Sequence, residues 1–248
     1  MIKQNIPNLL TLCNLFCGCI AIVFAFEGNL VWSAYMVGIA CVFDFLDGMV
    51  ARLLNVKSEI GKQLDSLADM VSFGVVPGVF MYFLLRGTFM FNAPHSFNGG
   101  VANYKILLPH VGFLITIFSA VRLAKFNLDT RQSDSFIGLP TPANTIFIVS
   151  LPFFFEGVTK YISLEYILNP LLFICITVIS SFLLIAPIPL FALKFKNFRW
   201  ADNKVRYIFL ALALALLIIF KFVGIPLVIV LYILLSLINN LISKKTVQ

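Results

Sequence analysis

An all-α, polytopic membrane protein is the fold class this sequence predicts, and three observations carry that expectation. The 248 residues are 60% hydrophobic and only 12% charged, with a mean hydropathy of +1.00. Soluble domains are typically about a quarter charged. The apolar residues gather into runs close to the ~20 residues that cross a bilayer. The basic residues fall between those runs and favour one side, as membrane topology requires.

Taken in order, about eight spans are expected. The first is Pro7–Phe26, with Pro7 near its first turn, where a missing N–H matters least. This run begins within ten residues and lacks a small-residue cleavage site, so it reads as a retained helix rather than a signal peptide. The second span is Leu30–Leu54, followed by a polar turn at Asn55–Glu59. The third is Ile60–Leu85, and a Gly-, Asn- and Phe-rich loop covers Arg86–Tyr104. The fourth is Lys105–Phe126, with a polar loop at Asn127–Ser135. The fifth, Pro142–Phe155, is short and carries Pro152. The sixth is Leu168–Leu193, which Pro187 and Pro189 should kink or end early. A basic loop, Lys194–Arg206, leads to the seventh span, Tyr207–Phe222. A turn at Gly224–Pro226 opens the eighth, Leu227–Ile242.

With eight spans, both termini lie on one side. Of the 18 Lys and Arg, 14 then share that side and 4 (Arg86, Lys105, Lys160, Lys221) face the other. The asymmetry predicts cytoplasmic termini in a cell (inner) membrane. The formal charge of +7 is therefore topological, and nucleic acid is not an expected partner. All five cysteines fall inside spans and read as polarizable packing groups. No internal repeat is evident, which argues against an inverted-repeat transporter. The expected division is a transmembrane core over residues 1–193 and a basic loop with a helical hairpin over 194–248.

One stretch breaks the apolar rule. Asp44, Asp47, Asp65 and Asp69 cluster around the turn between the second and third spans. Intramembrane carboxylates are costly, at roughly 2.5–3.5 kcal/mol each on insertion scales. Asp44 and Asp47 are three apart and Asp65 and Asp69 four apart, so each pair shares one helix face. The short turn makes the two helices antiparallel neighbours, with both pairs at the cytoplasmic end. Gly48, Ala51 and Gly61 leave the facing surfaces narrow enough for a ligand or a close helix. Four converging carboxylates call for a cation, and hard oxygen donors suit Mg²⁺, Mn²⁺ or Ca²⁺. Four Asp and Arg52 sum to −3, and two divalent ions bring the site to +1. A pyrophosphate of about −2 would then bind, the arrangement of two-metal phosphoryl chemistry. Two other readings of the acids are helix-end groups reaching water and a cation or proton path.

The run Asp44-x-x-Asp47-Gly48-x-x-Ala51-Arg52, eight residues, Gly61, three residues, Asp65, three residues, Asp69 resembles the complete signature of the CDP-alcohol phosphotransferase family. The resemblance implies a homodimeric membrane enzyme with a six-helix core, so two helices here would be additional. It implies transfer of a phosphatidyl or similar group from a CDP-linked donor to an alcohol, releasing CMP. Carried over by position, Asp44, Asp47, Asp65 and Asp69 would hold one or two Mg²⁺ or Mn²⁺ ions, and Asp69 would also be the general base. Gly48, Arg52 and Gly61 would contact the CDP moiety, with Ala51 and Ser66 grouped beside them.

The flanking residues bear on the acceptor. Leu64–Gly78 (LDSLADMVSFGVVPG), Pro7–Asn14, Arg122–Asn127 and Gly138–Asn144 resemble the phosphatidylserine synthase branch of that family. Glycerophosphate-using relatives tend to carry Pro where Ser66 stands. The implied substrates are CDP-diacylglycerol and L-serine, in contact with membrane lipids, with inositol phosphate, glycerol phosphate or choline as alternative acceptors. A serine carboxylate wants a cation. Arg122 is the foremost candidate, and Lys125, Arg131 and Asn127 are weaker ones. Asn8, Thr11 and Asn14 form a polar stripe at i, i+3, i+6 that reads as lining the nucleotide site, with helix–helix contact as the other reading. Asn144 is a weaker polar candidate, and His95 and His110 have no evident role.

Overall fold

A computed structural model describes residues 2–56, 58–91, 106–128, 135–191, 197 and 199–245. Helix α1 is Ile2–Phe26, α2 is Leu30–Leu53, and α3 is Glu59–Asp69. A π-helical segment, Met70–Val75, joins α3 to α4, Val76–Phe91. A 3₁₀ turn at Leu108–Phe113 leads into α5, Leu114–Leu128. Then come β1 (Ser135–Ile137), α6 (Thr141–Val158), the single turn α7 (Leu164–Ile167) and α8 (Pro170–Ile185). Strand β2 (Pro189–Phe191), α9 (Trp200–Phe220) and α10 (Gly224–Lys245) complete the chain.

Six runs are long and apolar enough to cross a membrane: Asn5–Phe26, Leu30–Leu53, Glu59–Phe91, Leu108–Leu128, Leu164–Ile185 and Asn203–Ile242. The protein is thus an all-α polytopic membrane protein, relieved only by the antiparallel pair β1–β2. The last run holds two helices, α9 and α10, divided at Lys221, whose φ is +52°.

Several expected boundaries move. Helix α1 starts at Ile2, so Pro7 lies inside it rather than near its first turn. Arg86 belongs to α4, which continues to Phe91; the rest of the expected outer loop, with His95, lies outside the described residues. The turn expected at Gly224–Pro226 sits instead at Lys221–Val223, and Pro226 falls in the first turn of α10, where a proline loses no bond. The sixth span does end early. Its helix stops at Ile185, two residues before Pro187, and the chain turns into β2.

The main core joins α2, the π segment, α4, α5, α6 and α8 through buried Val37, Phe73, Phe80, Ile115, Ile148 and Phe173. A second cluster ties the C-terminal helices to this core through Leu139, Leu190, Phe209, Ala213 and Tyr232. Tyr232 Oη donates to Phe191 O at 2.9 Å, and Asn240 Nδ2 donates to Pro189 O at 2.6 Å. Helix α10 thereby holds β2, and β2 holds β1 beside the start of α6.

Candidate active site

Helices α2 and α3 barely touch each other; α1 packs against both. Their acids meet as the short connection predicts, Asp44 and Asp47 of α2 reaching Asp65 of α3, but their backbones pack mainly against α1. The gap follows from its lining. Carboxylates repel across it, and Gly48, Ala51 and Gly61 put no bulk into it. Helix α3 is capped locally: Ser58 Oγ accepts from Gly61 N at 3.1 Å, and Glu59 complements the positive end of the helix. A side chain at Gly61 would have to displace the Asn8 amide. A Cβ there would lie 2.8 Å from Asn8 Oδ1 and 3.3 Å from Ser58 Cβ.

Asp44, Asp47 and Asp65 each bring a carboxylate oxygen within 4.8 Å of the others. At an effective dielectric of about 20, each such pair repels by roughly 3–4 kcal/mol. Asp47 is buried, and the other two are partly buried. The set of three hard oxygens, crowded by repulsion and without an ion pair to a Lys or Arg among the described residues, fits a divalent ion. Asp69 stands outside that group of three but feels the charge of Asp44, Asp65 and Asp47. The sequence expectation of one four-carboxylate cluster thus resolves into three oxygens in ligand range and a fourth carboxylate beside them.

Helix α1 supplies the layer behind the acids. Thr11 Oγ1 donates to Asp47 Oδ2 at 2.6 Å, and Asn14 Nδ2 donates to Asp69 Oδ1 at 3.2 Å. Asn14 is itself held, since Ser72 Oγ donates to its carbonyl at 3.0 Å. Ser72 comes so close that a Cβ on Gly18 would collide with it. The polar stripe of α1 is therefore an orienting row: Thr11 and Asn14 each point one carboxylate.

A cavity of about 370 Å³ opens from this cluster between α1, α2 and α3. Asn8, Thr11, Gly48, Ala51 and Gly61 line it alongside Asp47 and Asp65. Arg52 is exposed and folds back over Gly48, where an added Cβ would lie 4.0 Å from its terminal nitrogen. Asn14 and Ser66 are not among the lining residues. Sequence reasoning passed over Ser58, Glu59 and Lys62, which do line it. Lys62 was legible as the residue after Gly61 in the motif, a cation beside an expected diphosphate.

The acceptor candidates separate clearly. Arg122 is buried, 7% exposed. Its Nη1 donates to Thr141 Oγ1 at 3.4 Å, and its guanidinium carbon lies 5.7 Å from the Phe126 ring centre. Its Nε has no hydrogen-bond partner among the described residues, while Asp69 and Tyr232 lie within electrostatic reach. Lys125 is exposed. Asn127 Nδ2 donates to Ser66 Oγ at 2.8 Å, and Lys62 Nζ to Asn127 O at 3.4 Å, so this trio ties α3 to the end of α5. Arg131 lies outside the described residues. Thr141 and Tyr232 are neighbours of Arg122 that no local spacing in the sequence signalled.

The sequence profile of a family described as CDP-alcohol phosphatidyltransferase matches residues 4–177. Among curated relatives, the CDP-diacylglycerol–serine O-phosphatidyltransferase of Helicobacter pylori (strain ATCC 700392 / 26695) is 36% identical over 169 residues, 65% of each chain. The protein of the same name from Bacillus subtilis (strain 168) is 33% identical over 157 residues, 62% of this chain and 78% of the relative. The archaetidylserine synthase of Methanothermobacter thermautotrophicus is 30% identical over 166 residues, 66% of this chain and 63% of the relative. The matched stretch spans just under two thirds of the Helicobacter protein's own length.

Proposed function

Because the chain belongs to the CDP-alcohol phosphatidyltransferase family, we propose that it transfers the phosphatidyl group of CDP-diacylglycerol to the hydroxyl of L-serine, giving phosphatidylserine and CMP. The observation that carries this reading is the junction of the Asp44–Asp47–Asp65 cluster with the cavity between α1, α2 and α3. A diphosphate-linked nucleotide needs both. The choice of serine rests on the buried, incompletely partnered Arg122 and on the serine-named relatives.

Each side chain has a task. Asp44, Asp47 and Asp65, with Asp69 beside them, would hold one or two Mg²⁺ or Mn²⁺ ions, which supply the positive charge that lets a diphosphate sit beside carboxylates. Gly48, Ala51 and Gly61 give the nucleotide room, and Asn8, Arg52 and Lys62 offer it polar contacts. Asp69, oriented by Asn14, takes the proton from the serine hydroxyl. A carboxylate is a weak base for an alcohol, so the proton leaves as the new O–P bond forms and the bond to CMP breaks. Arg122 pairs with the serine carboxylate, a bidentate match no neutral side chain provides.

The same reading extends to the whole protein. Eight spans place both termini and the site on the cytoplasmic face of the cell membrane, and the enzyme works as a homodimer. Residues 1–193 form the transferase core, and 194–248 add a loop and a helical hairpin.

The test is CMP release by purified protein given CDP-diacylglycerol, Mn²⁺ and a panel of alcohols. Metal-dependent release with L-serine is expected. Silence with every alcohol would overturn the transferase reading. Release with glycerol phosphate or inositol phosphate, but not serine, would overturn the acceptor alone.

A further inference from the structure

The family profile ends at residue 177, so α10 lies wholly outside the stretch that matches it. The helix nonetheless reaches the surroundings of Arg122. Its Tyr232 is 7% exposed and belongs to the cluster of Leu139, Leu190, Phe209 and Ala213. The Tyr232 ring meets those of Phe191 and Phe209 at centroid distances of 5.0 and 5.7 Å. A buried phenol needs a partner for its O–H. Here the proton goes to Phe191 O, at 2.9 Å. What remains on the oxygen is acceptor capacity, which attracts a cation.

The nearby cation is Arg122. Its guanidinium lies within electrostatic reach of Tyr232 on α10 and of Asp69 on α3. The 3.4 Å bond to Thr141 and the unpartnered Nε leave this buried group thinly held among the described residues. One long bond does not fix where five N–H donors point. Thr141 itself depends on α10. It opens α6 shortly after β1, β1 pairs with β2, and Tyr232 and Asn240 hold β2 through Phe191 O and Pro189 O. Both routes to the guanidinium, the direct one and the one through Thr141, therefore start at Tyr232.

We propose that Tyr232 is a positioning residue for acceptor binding: its hydroxyl, anchored on Phe191 O, orients the Arg122 guanidinium toward the carboxylate of the acceptor. The inference rests on Arg122 pairing with that carboxylate, as proposed above. It makes the C-terminal hairpin, which lies beyond the family profile, a determinant of acceptor affinity.

Tyr232→Phe tests this in the full-length protein, because it keeps the ring in its cluster and removes the oxygen. KM for L-serine should rise roughly fivefold, as expected for the loss of one buried polar partner, while KM for CDP-diacylglycerol stays nearly unchanged. A hydroxyl that only stabilised the fold would lower the active fraction, and with it the apparent kcat, and leave both KM values alone. That pattern overturns the proposal. The double variant Arg122→Ala/Tyr232→Phe closes a cycle. Its serine KM should match that of Arg122→Ala alone, since Tyr232 acts through the guanidinium. Additive rises would mean that Tyr232 acts elsewhere, which also overturns it. Failure of the underlying reading shows separately. Absence of CMP release by the unaltered protein, or an unchanged serine KM in Arg122→Ala, removes the acceptor assignment and this inference with it.

Discussion

Thr11 sits directly behind the carboxylates, and its 2.6 Å bond to Asp47 fixes one oxygen of the proposed metal site. Partners of that kind typically alter metal affinity 10- to 100-fold when removed. Thr11→Val should therefore raise the Mn²⁺ concentration for half-maximal CMP release by about tenfold, with turnover recovering at saturating metal. An unchanged metal titration would strip Thr11 of this role. Asp69 differs because it lies outside the three-oxygen group. Asp69→Asn keeps the shape and removes the proposed base, so turnover should vanish while CDP binding, read by calorimetry, changes little. Equal loss of both would make Asp69 a ligand only. Arg122 is a buried cation whose only side-chain hydrogen bond among the described residues is a long one to Thr141. Arg122→Ala should raise KM for serine far more than KM for CDP-diacylglycerol, because the proposed pairing with the serine carboxylate loses its cation. Equal shifts in the two KM values would remove Arg122 from the acceptor site.

The elements show why some of this was legible in the sequence and some was not. The acid pairs declare themselves through helical spacing, because i, i+3 and i, i+4 are fixed by 3.6 residues per turn. What that spacing omits is the π-helical segment Met70–Val75 immediately after Asp69. Its local cause is Pro77. With no N–H, Pro77 cannot bond the carbonyl four residues back, that of Phe73. Thr145 Oγ1 takes that carbonyl at 2.9 Å, and Thr116 Oγ1 takes Gly74 O at 2.9 Å. Those hydroxyls come from α6 and α5, so the sequence shows the missing donor but not its replacements. The separation of α2 from α3 was hidden for a related reason: a short turn sets proximity, whereas α1 decides the packing. The corner at Gly138 is the clearest tertiary demand. Its φ is +78°, its N donates to Ile188 O at 3.0 Å, and an added Cβ would lie 2.5 Å from Leu184 O. Gly138→Ala should destabilise the protein by about 2 kcal/mol or more, seen as a lower Tm in detergent. An unaltered Tm would show that the corner relaxes freely. Because this corner leads into Thr141 and Asn144, the same variant should also weaken serine binding.

At the scale of the whole molecule the open question of architecture is how many times the chain crosses. Helix α9 has 21 residues and α10 has 22. Non-helical Asn203 breaks α9 near its start, so at 1.5 Å per residue its roughly 17 residues from Lys204 span about 26 Å and α10 about 33 Å, close to a ~30 Å hydrocarbon core. Between them lies Lys221 at a sharp turn. If the pair dipped into the membrane and returned, Lys221 would sit at depth, at a cost of roughly 2.5–3.5 kcal/mol. If both helices cross, Lys221 reaches water on the outer face, and Lys204, Arg206, Lys244 and Lys245 gather on the inner one, as the positive-inside rule favours. Full crossing satisfies length and charge together. In a background with the five native cysteines replaced, Lys221→Cys should react with an impermeant maleimide applied to intact cells. Lys244→Cys should react only after the membrane is opened. Labelling of both positions from the same side would replace two crossings with a re-entrant hairpin.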